Sequence, residues 1–111
     1  MKLLNRGFIS VKPTEEFSKW KIKNSDDEII ESINAEATIY LIEEDFWDDA
    51  DMINKYFKKI ANQEFTNVTP NLENWPKIEN PEDFYLFFDA ELGSFVFDLL
   101  KTQIESETIK S

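Results

Sequence analysis

The side chains with the most evident chemical potential are carboxylates grouped in one short segment. They are Glu43, Glu44, Asp45, Asp48, Asp49 and Asp51. Clustered carboxylates bind hard cations such as Ca²⁺ and Mg²⁺, and two of them across a cleft can act as general acid and general base. The segment lacks the glycine and the alternating acids of an EF-hand loop, and it runs directly into a helical pattern. Acids at a helix start are explained by the helix dipole, so we expect no metal site and no cofactor.

The chain contains no histidine and no cysteine. This composition excludes an imidazole base, a thiol nucleophile and zinc sites built from Cys or His. Gly7 and Gly93 are the only glycines, which excludes phosphate-cradling loops of the Walker and dinucleotide types. Catalysis would have to use carboxylates, Lys, Tyr or Ser/Thr, and no particular pair of acids stands out.

The net charge of −11 is concentrated in one part of the chain. Residues 25–54 contain eleven Asp and Glu and no Lys or Arg. Such a field repels nucleic-acid backbones and anionic membranes, and it attracts basic proteins. We therefore expect a basic protein partner, no nucleic acid and no membrane; the alternative is that these carboxylates only keep the protein soluble.

Most aromatic residues fit a core, but Trp47 and Trp75 do not fall on an apolar stripe. Trp47 lies within the acidic segment, and Trp75 precedes Pro76 in a stretch without regular periodicity. Tryptophan is enriched at the centres of protein interfaces. The candidate partner-binding residues are therefore Glu43, Glu44, Asp45, Trp47, Asp48, Asp49, Asp51 and Trp75.

The elements that would position these residues begin with a strand over residues 7–12 and a helix after Pro13. A capping-box pattern at Ser25 predicts a short second helix. The apolar run over residues 37–42 predicts a strand covered on both faces or lying centrally in the sheet. A stripe from Phe46 to Phe65 predicts the longest helix, over residues 46–65.

The second half of the chain predicts a loop, a helix and a final strand. The loop covers residues 66–79, with Leu72, Trp75 and Ile78 as apolar anchors. Asn80 followed by Pro81 predicts a helix start, with Phe84, Phe87 and Phe88 on its buried face. Residues 92–99 predict a strand, and Phe95 in it is expected in the core.

These elements predict an α+β fold in the order β-α-α-β-α-α-β. We expect a small mixed sheet of three or four strands with helices packed on it. Residues 1–111 are expected to form a single domain, with an ordered core over about residues 5–100 and a tail over residues 101–111. No apolar run approaches the roughly 18–20 residues of a membrane helix and no signal peptide is recognisable, so a cytoplasmic protein is expected.

Several of these motifs together resemble a family of small acidic bacterial proteins of unknown function. The resemblance rests on Asn5-Arg6, Val11-Lys12-Pro13, Phe17, Trp20, the run 37–42, Trp75-Pro76, Phe84, Phe87-Phe88-Asp89 and Val96-Phe97-Asp98-Leu99. It implies a bacterial cytoplasmic protein and assigns no catalytic residues.

Three functional hypotheses follow from the sequence. The first is a non-enzymatic interaction protein whose acidic surface docks a basic partner, in the manner of an immunity or inhibitor protein or of a nucleic-acid mimic. The second is an enzyme that uses carboxylates with a divalent cation at residues 43–51. The third is a structural subunit whose aromatic surface closes a homodimer.

Overall fold

The computed structural model describes residues 1–24 and 36–109. Within these ranges the chain forms five strands and three α-helices. The strands are β1 (Lys2–Leu3), β2 (Gly7–Pro13), β3 (Thr38–Ile42), β4 (Phe88–Gly93) and β5 (Phe97–Asp98). The helices are α1 (Glu15–Asn24), α2 (Asp49–Thr66) and α3 (Pro81–Phe87), with a short 3-10 helix over Leu72–Asn74. The mixed helix and strand content predicted from the sequence is confirmed. The predicted order β-α-α-β-α-α-β is not matched, because the described chain begins with two strands and ends with two strands. The short helix predicted at Ser25 lies outside the described residues.

The main sheet has three strands in the order β3-β2-β4, and both pairings are antiparallel. The prediction of a mixed sheet is therefore wrong for the described strands. The sequence predicts that the strand over residues 37–42 is central or covered on both faces. Among the described strands, however, β3 lies at an edge, and Ile39 and Leu41 are about half exposed. The central strand is β2, where Ile9 and Val11 are completely buried.

The three helices bury their apolar faces on one face of this sheet. Asp48 caps α2, as its side chain accepts a hydrogen bond from the Ala50 N–H at 2.9 Å. The sequence predicts a helix start at residue 46, three residues before α2 begins. The helix begins later because Asp48 is its capping residue, and a capping residue has non-helical backbone angles. Asn80 caps α3 by accepting from the Asp83 N–H at 2.9 Å, as the sequence predicts.

Phe65 lies at the centre of the core. Its ring centroid is 4.9 Å from that of Trp20, 5.7 Å from that of Phe88 and 6.0 Å from that of Trp75. The aromatic cluster thus joins α1, α2, β4 and the loop after α2. By contrast, Leu72 is 70% exposed, so the prediction that it anchors this loop is wrong.

The last predicted strand is displaced in the structure. Phe88 belongs to β4 and not to α3, because its backbone is extended and pairs with Pro13 of β2. The β4 strand ends at Gly93, and Phe95, which was expected in the core, is 72% exposed. Phe84 and Phe88 are both buried, and the chain enters the sheet directly from α3 at Phe88.

A two-stranded antiparallel ribbon, β1 with β5, continues the β2–β4 pair beyond the main sheet. Leu3 pairs with Phe97 and Phe8 pairs with Gly93, so residues 4–7 on one strand face the shorter stretch 94–96 on the other. One extra residue on one side is the pattern of a β-bulge. The β1 strand was not predicted from the sequence. No regular secondary structure follows in residues 101–109, all of which are exposed.

Candidate functional site

The predicted acidic segment connects β3 to α2, and its carboxylates have different surroundings. Glu43 directly follows β3 and accepts hydrogen bonds from Lys55 Nζ at 2.6 Å and from the Tyr56 hydroxyl at 2.7 Å. These two donors lower the pKa of Glu43 to about 2. The negative charge of Glu43 is therefore balanced by Lys55, and the carboxylate links the end of β3 to α2.

The remaining acids of the segment are exposed. Asp48 caps α2, and Asp49 and Asp51 lie in its first turn, where the helix dipole favours negative charge. Glu44 and Asp45 precede them and are also exposed. Within residues 1–24 and 36–109, none of these five carboxylates forms a salt bridge.

Trp47 lies in the middle of these acids and is fully exposed. Tyr85 belongs to α3, which packs against α2. Burial, followed by the negative charge of Asp49, raises the pKa of its hydroxyl. Tyr85 remains 47% exposed. We call the surface formed by Trp47, Asp48, Asp49, Asp51 and Tyr85 the Trp47 surface. This surface contains two aromatic side chains and three carboxylates, and no Lys or Arg in the described residues forms a salt bridge with these carboxylates.

Trp75, the other tryptophan of the predicted set, lies elsewhere. Its indole N–H donates to the Thr69 carbonyl oxygen at 2.9 Å, and its ring packs against Phe65 near the end of α2. Since a helix rises 1.5 Å per residue, the first turn of α2 and Phe65 are about 24 Å apart. The structure thus places Trp47 and Trp75 at opposite ends of α2, and Trp75 is half-buried as a core anchor.

A second polar site, between α2 and β3, was not identified from the sequence. Glu64 is only 6% exposed, and its carboxylate accepts a hydrogen bond from the Tyr40 hydroxyl at 2.6 Å. Thr38 Oγ1 lies 3.5 Å from the other carboxylate oxygen. Burial, followed by the contact with Glu64, raises the pKa of Tyr40. The sequence did indicate that Glu64 is buried, because Glu64 lies on the same helical stripe as Ile60 and Ala61.

Two further features of the described residues concern metal binding and clefts. No group of three or more Asp or Glu residues in ranges 1–24 and 36–109 is arranged to hold a metal ion. A shallow cleft of about 370 Å³ opens between α2 and the start of α3, and Glu79 is the only acid among its described lining residues. Lys55 and Lys58 also line it.

Comparisons with known protein families, curated proteins and solved structures find no match to this chain. No helix in the described part of the chain has the length and apolar character needed to cross a membrane.

Proposed function

We propose that this protein is a non-enzymatic interaction module that docks a basic protein through the Trp47 surface. The observation that carries the proposal is the complete exposure of Trp47 among Asp48, Asp49 and Asp51, which lack salt-bridge partners in the described residues. Folding has left this large apolar side chain in water, and a partner that covers it would gain the hydrophobic free energy of its burial.

The charge of the Trp47 surface specifies the chemistry of the partner. Asp48, Asp49 and Asp51 lie at the start of one helix, and Glu44 and Asp45 are close in sequence. Clustered like charges create a field that speeds the encounter with a basic protein and makes binding sensitive to salt. Concrete versions of this role are an immunity or inhibitor protein that covers a basic active site and an acidic mimic of nucleic acid. A cytoplasmic location and the resemblance to small acidic bacterial proteins remain predictions that agree with this role.

The proposal can be tested by site-specific photo-crosslinking. A benzophenone amino acid replaces Trp47 in one sample and Leu72 in the control, since Leu72 is also exposed but lies near the other end of α2. In an extract of the native cells at low salt, we expect an adduct with a basic protein from position 47 and not from position 72. Raising the salt concentration should reduce the adduct.

Two matched double variants separate the local surface from the overall charge. Asp49→Asn with Asp51→Asn should abolish the adduct at position 47. Glu105→Gln with Glu107→Gln removes the same number of charges from the exposed C-terminal segment and should leave it unchanged. Equal loss in both double variants, equal adducts from positions 47 and 72, or no adduct at all would contradict the proposal.

A further inference from the structure

We propose that the outer edge of β3 binds an extended basic segment of the partner as an added strand of the sheet. The expectation of a basic partner rests on the proposed function, whereas the strand pairing rests on the geometry of β3. Addition of an extended peptide to a sheet edge is a common mode of recognition, in which the backbone supplies affinity and alternate side chains supply specificity.

The backbone of β3 is available for such pairing. In the described part of the chain β3 pairs only with β2, so alternate residues of β3 direct their N–H and C=O groups away from the sheet. Natural edge strands are usually protected by Lys, Pro, a bulge or an inward-pointing charge. The segment Thr38–Ile42 has no charged residue and no proline. The opposite edge, β4, carries Asp89 and Glu91.

The side chains of β3 favour an apolar strand beside it. Ile39 is 55% and Leu41 is 50% exposed, and both lie on the face of the sheet opposite the helices, next to Ser10 and Phe8 of β2. A strand added at the usual spacing of about 4.8 Å would place its own alternate side chains beside these two residues. Apolar residues at alternate positions of the added segment would therefore cover Ile39 and Leu41.

The charges around β3 favour a basic segment over a second copy of this chain. Glu36 precedes the strand, Glu44 and Asp45 follow it, and all three are exposed. Lysines or arginines at both ends of an added segment would meet these acids. If two copies paired antiparallel about Tyr40, Glu36 of one copy would face Glu44 of the other, and like charges directly opposite are destabilising.

The test uses the full chain, labelled with ¹⁵N, and a synthetic peptide of alternating valine and threonine with lysines at both ends. We expect the peptide to slow hydrogen exchange of the outward-pointing amides of β3 by about tenfold or more at saturation. The same peptide with glutamates in place of the lysines should bind more weakly. Equal binding of the two peptides would overturn the basic character of the segment.

Two variants with the same change of charge locate the binding site. Leu41→Lys should weaken binding by about tenfold, and Leu72→Lys by less than about twofold, because Leu72 is exposed outside the sheet. If circular dichroism shows that Leu41→Lys does not fold, Ile39→Thr, which keeps a β-branched side chain, must weaken binding instead. Equal effects of the two lysine variants, or exchange protection confined to other elements, would overturn the proposal.

Two further outcomes are distinguished by the same experiments. Outward-pointing β3 amides that are already protected without peptide would mean that a second copy or another part of the chain occupies the edge, and sedimentation would separate these two.

The Asp49→Asn/Asp51→Asn variant should retain peptide-induced protection of β3. Protection of β3 without a crosslink at position 47 would contradict only the proposed function, and a charge-dependent crosslink without protection of β3 would contradict only this inference.

Discussion

Replacing Tyr40 with phenylalanine tests the polar contact between β3 and α2. The substitution removes the hydroxyl that donates to Glu64 at 2.6 Å and leaves that buried carboxylate with Thr38 Oγ1 at 3.5 Å. A hydrogen bond to a charged group contributes about 1.5–3 kcal/mol. We therefore expect Tyr40→Phe to lower the free energy of unfolding by about 2 kcal/mol, or the melting temperature by about 10 °C for a domain of this size.

The assay is urea unfolding at neutral pH followed by far-UV circular dichroism. Tyr85→Phe is the matched control, because it removes a hydroxyl from a half-exposed residue and should change the free energy by less than about 0.5 kcal/mol. In Tyr40→Phe with Glu64→Leu both polar partners become apolar, and the coupling energy from the double-mutant cycle should be about 1–3 kcal/mol. Equal effects of Tyr40→Phe and Tyr85→Phe would refute the structural role assigned to Glu64.

The raised pKa of Tyr40 adds a dependence on pH with a definite sign. The folded protein holds the phenol proton more tightly than the unfolded chain, in which tyrosine ionises near pH 10. The stability from this difference is complete below about pH 10 and is lost as the pH rises above it. Urea midpoints between about pH 9 and about pH 11 should therefore fall more steeply in the wild type than in Tyr40→Phe. Identical slopes would contradict the assignment.

Three other predictions concern separate parts of the molecule. The Glu43 carboxyl should titrate near pH 2 by ¹³C NMR, and its pKa should rise toward the ordinary range in Lys55→Met. The stability that Glu43 contributes is present above its unfolded pKa and is lost as the pH falls toward 2. Asp48→Ala should cost about 1 kcal/mol in urea unfolding through loss of the cap, whereas Asp48→Asn should retain stability and weaken the salt-sensitive crosslink at position 47. A Cβ on Gly7 would lie 2.9 Å from the Gly93 carbonyl oxygen and 3.0 Å from that of Glu43, so Gly7→Ala should cost about 1–3 kcal/mol, whereas exposed Ser94→Ala should be nearly neutral in the same assay.

Local patterns predicted the elements whose causes are local. The cap at Asn80 and the charges at the ends of α1 act within one turn of helix, so neighbouring residues suffice to locate them. The apolar stripe of α2 likewise identified its buried face. Part of the candidate site could also be predicted from local sequence. The acidic run contains Trp47 outside the apolar stripe of α2, and Trp47 is exposed in the structure.

Long-range pairing decided the features that the sequence analysis missed. Residues 37–42 have the apolar run of a covered strand, but β3 pairs on one side only among the described residues. Phe88 suits the buried face of a helix as well as a strand, and its pairing with Pro13, far away in sequence, selects the strand. Phe95 and Leu72 have apolar side chains in segments that the tertiary structure leaves exposed.

The amino-acid sequence alone shows one strongly acidic block and no histidine or cysteine chemistry, and it locates the capped start of α3 at Asn80. These properties depend on residue type and on spacing over a few residues. The folded chain is needed to show that Lys55 pairs with Glu43, that Glu64 is buried against Tyr40, and that Trp47 and Trp75 lie at opposite ends of α2. Those relations join residues from different elements, and the burial of one common core around Phe65 sets how the elements meet.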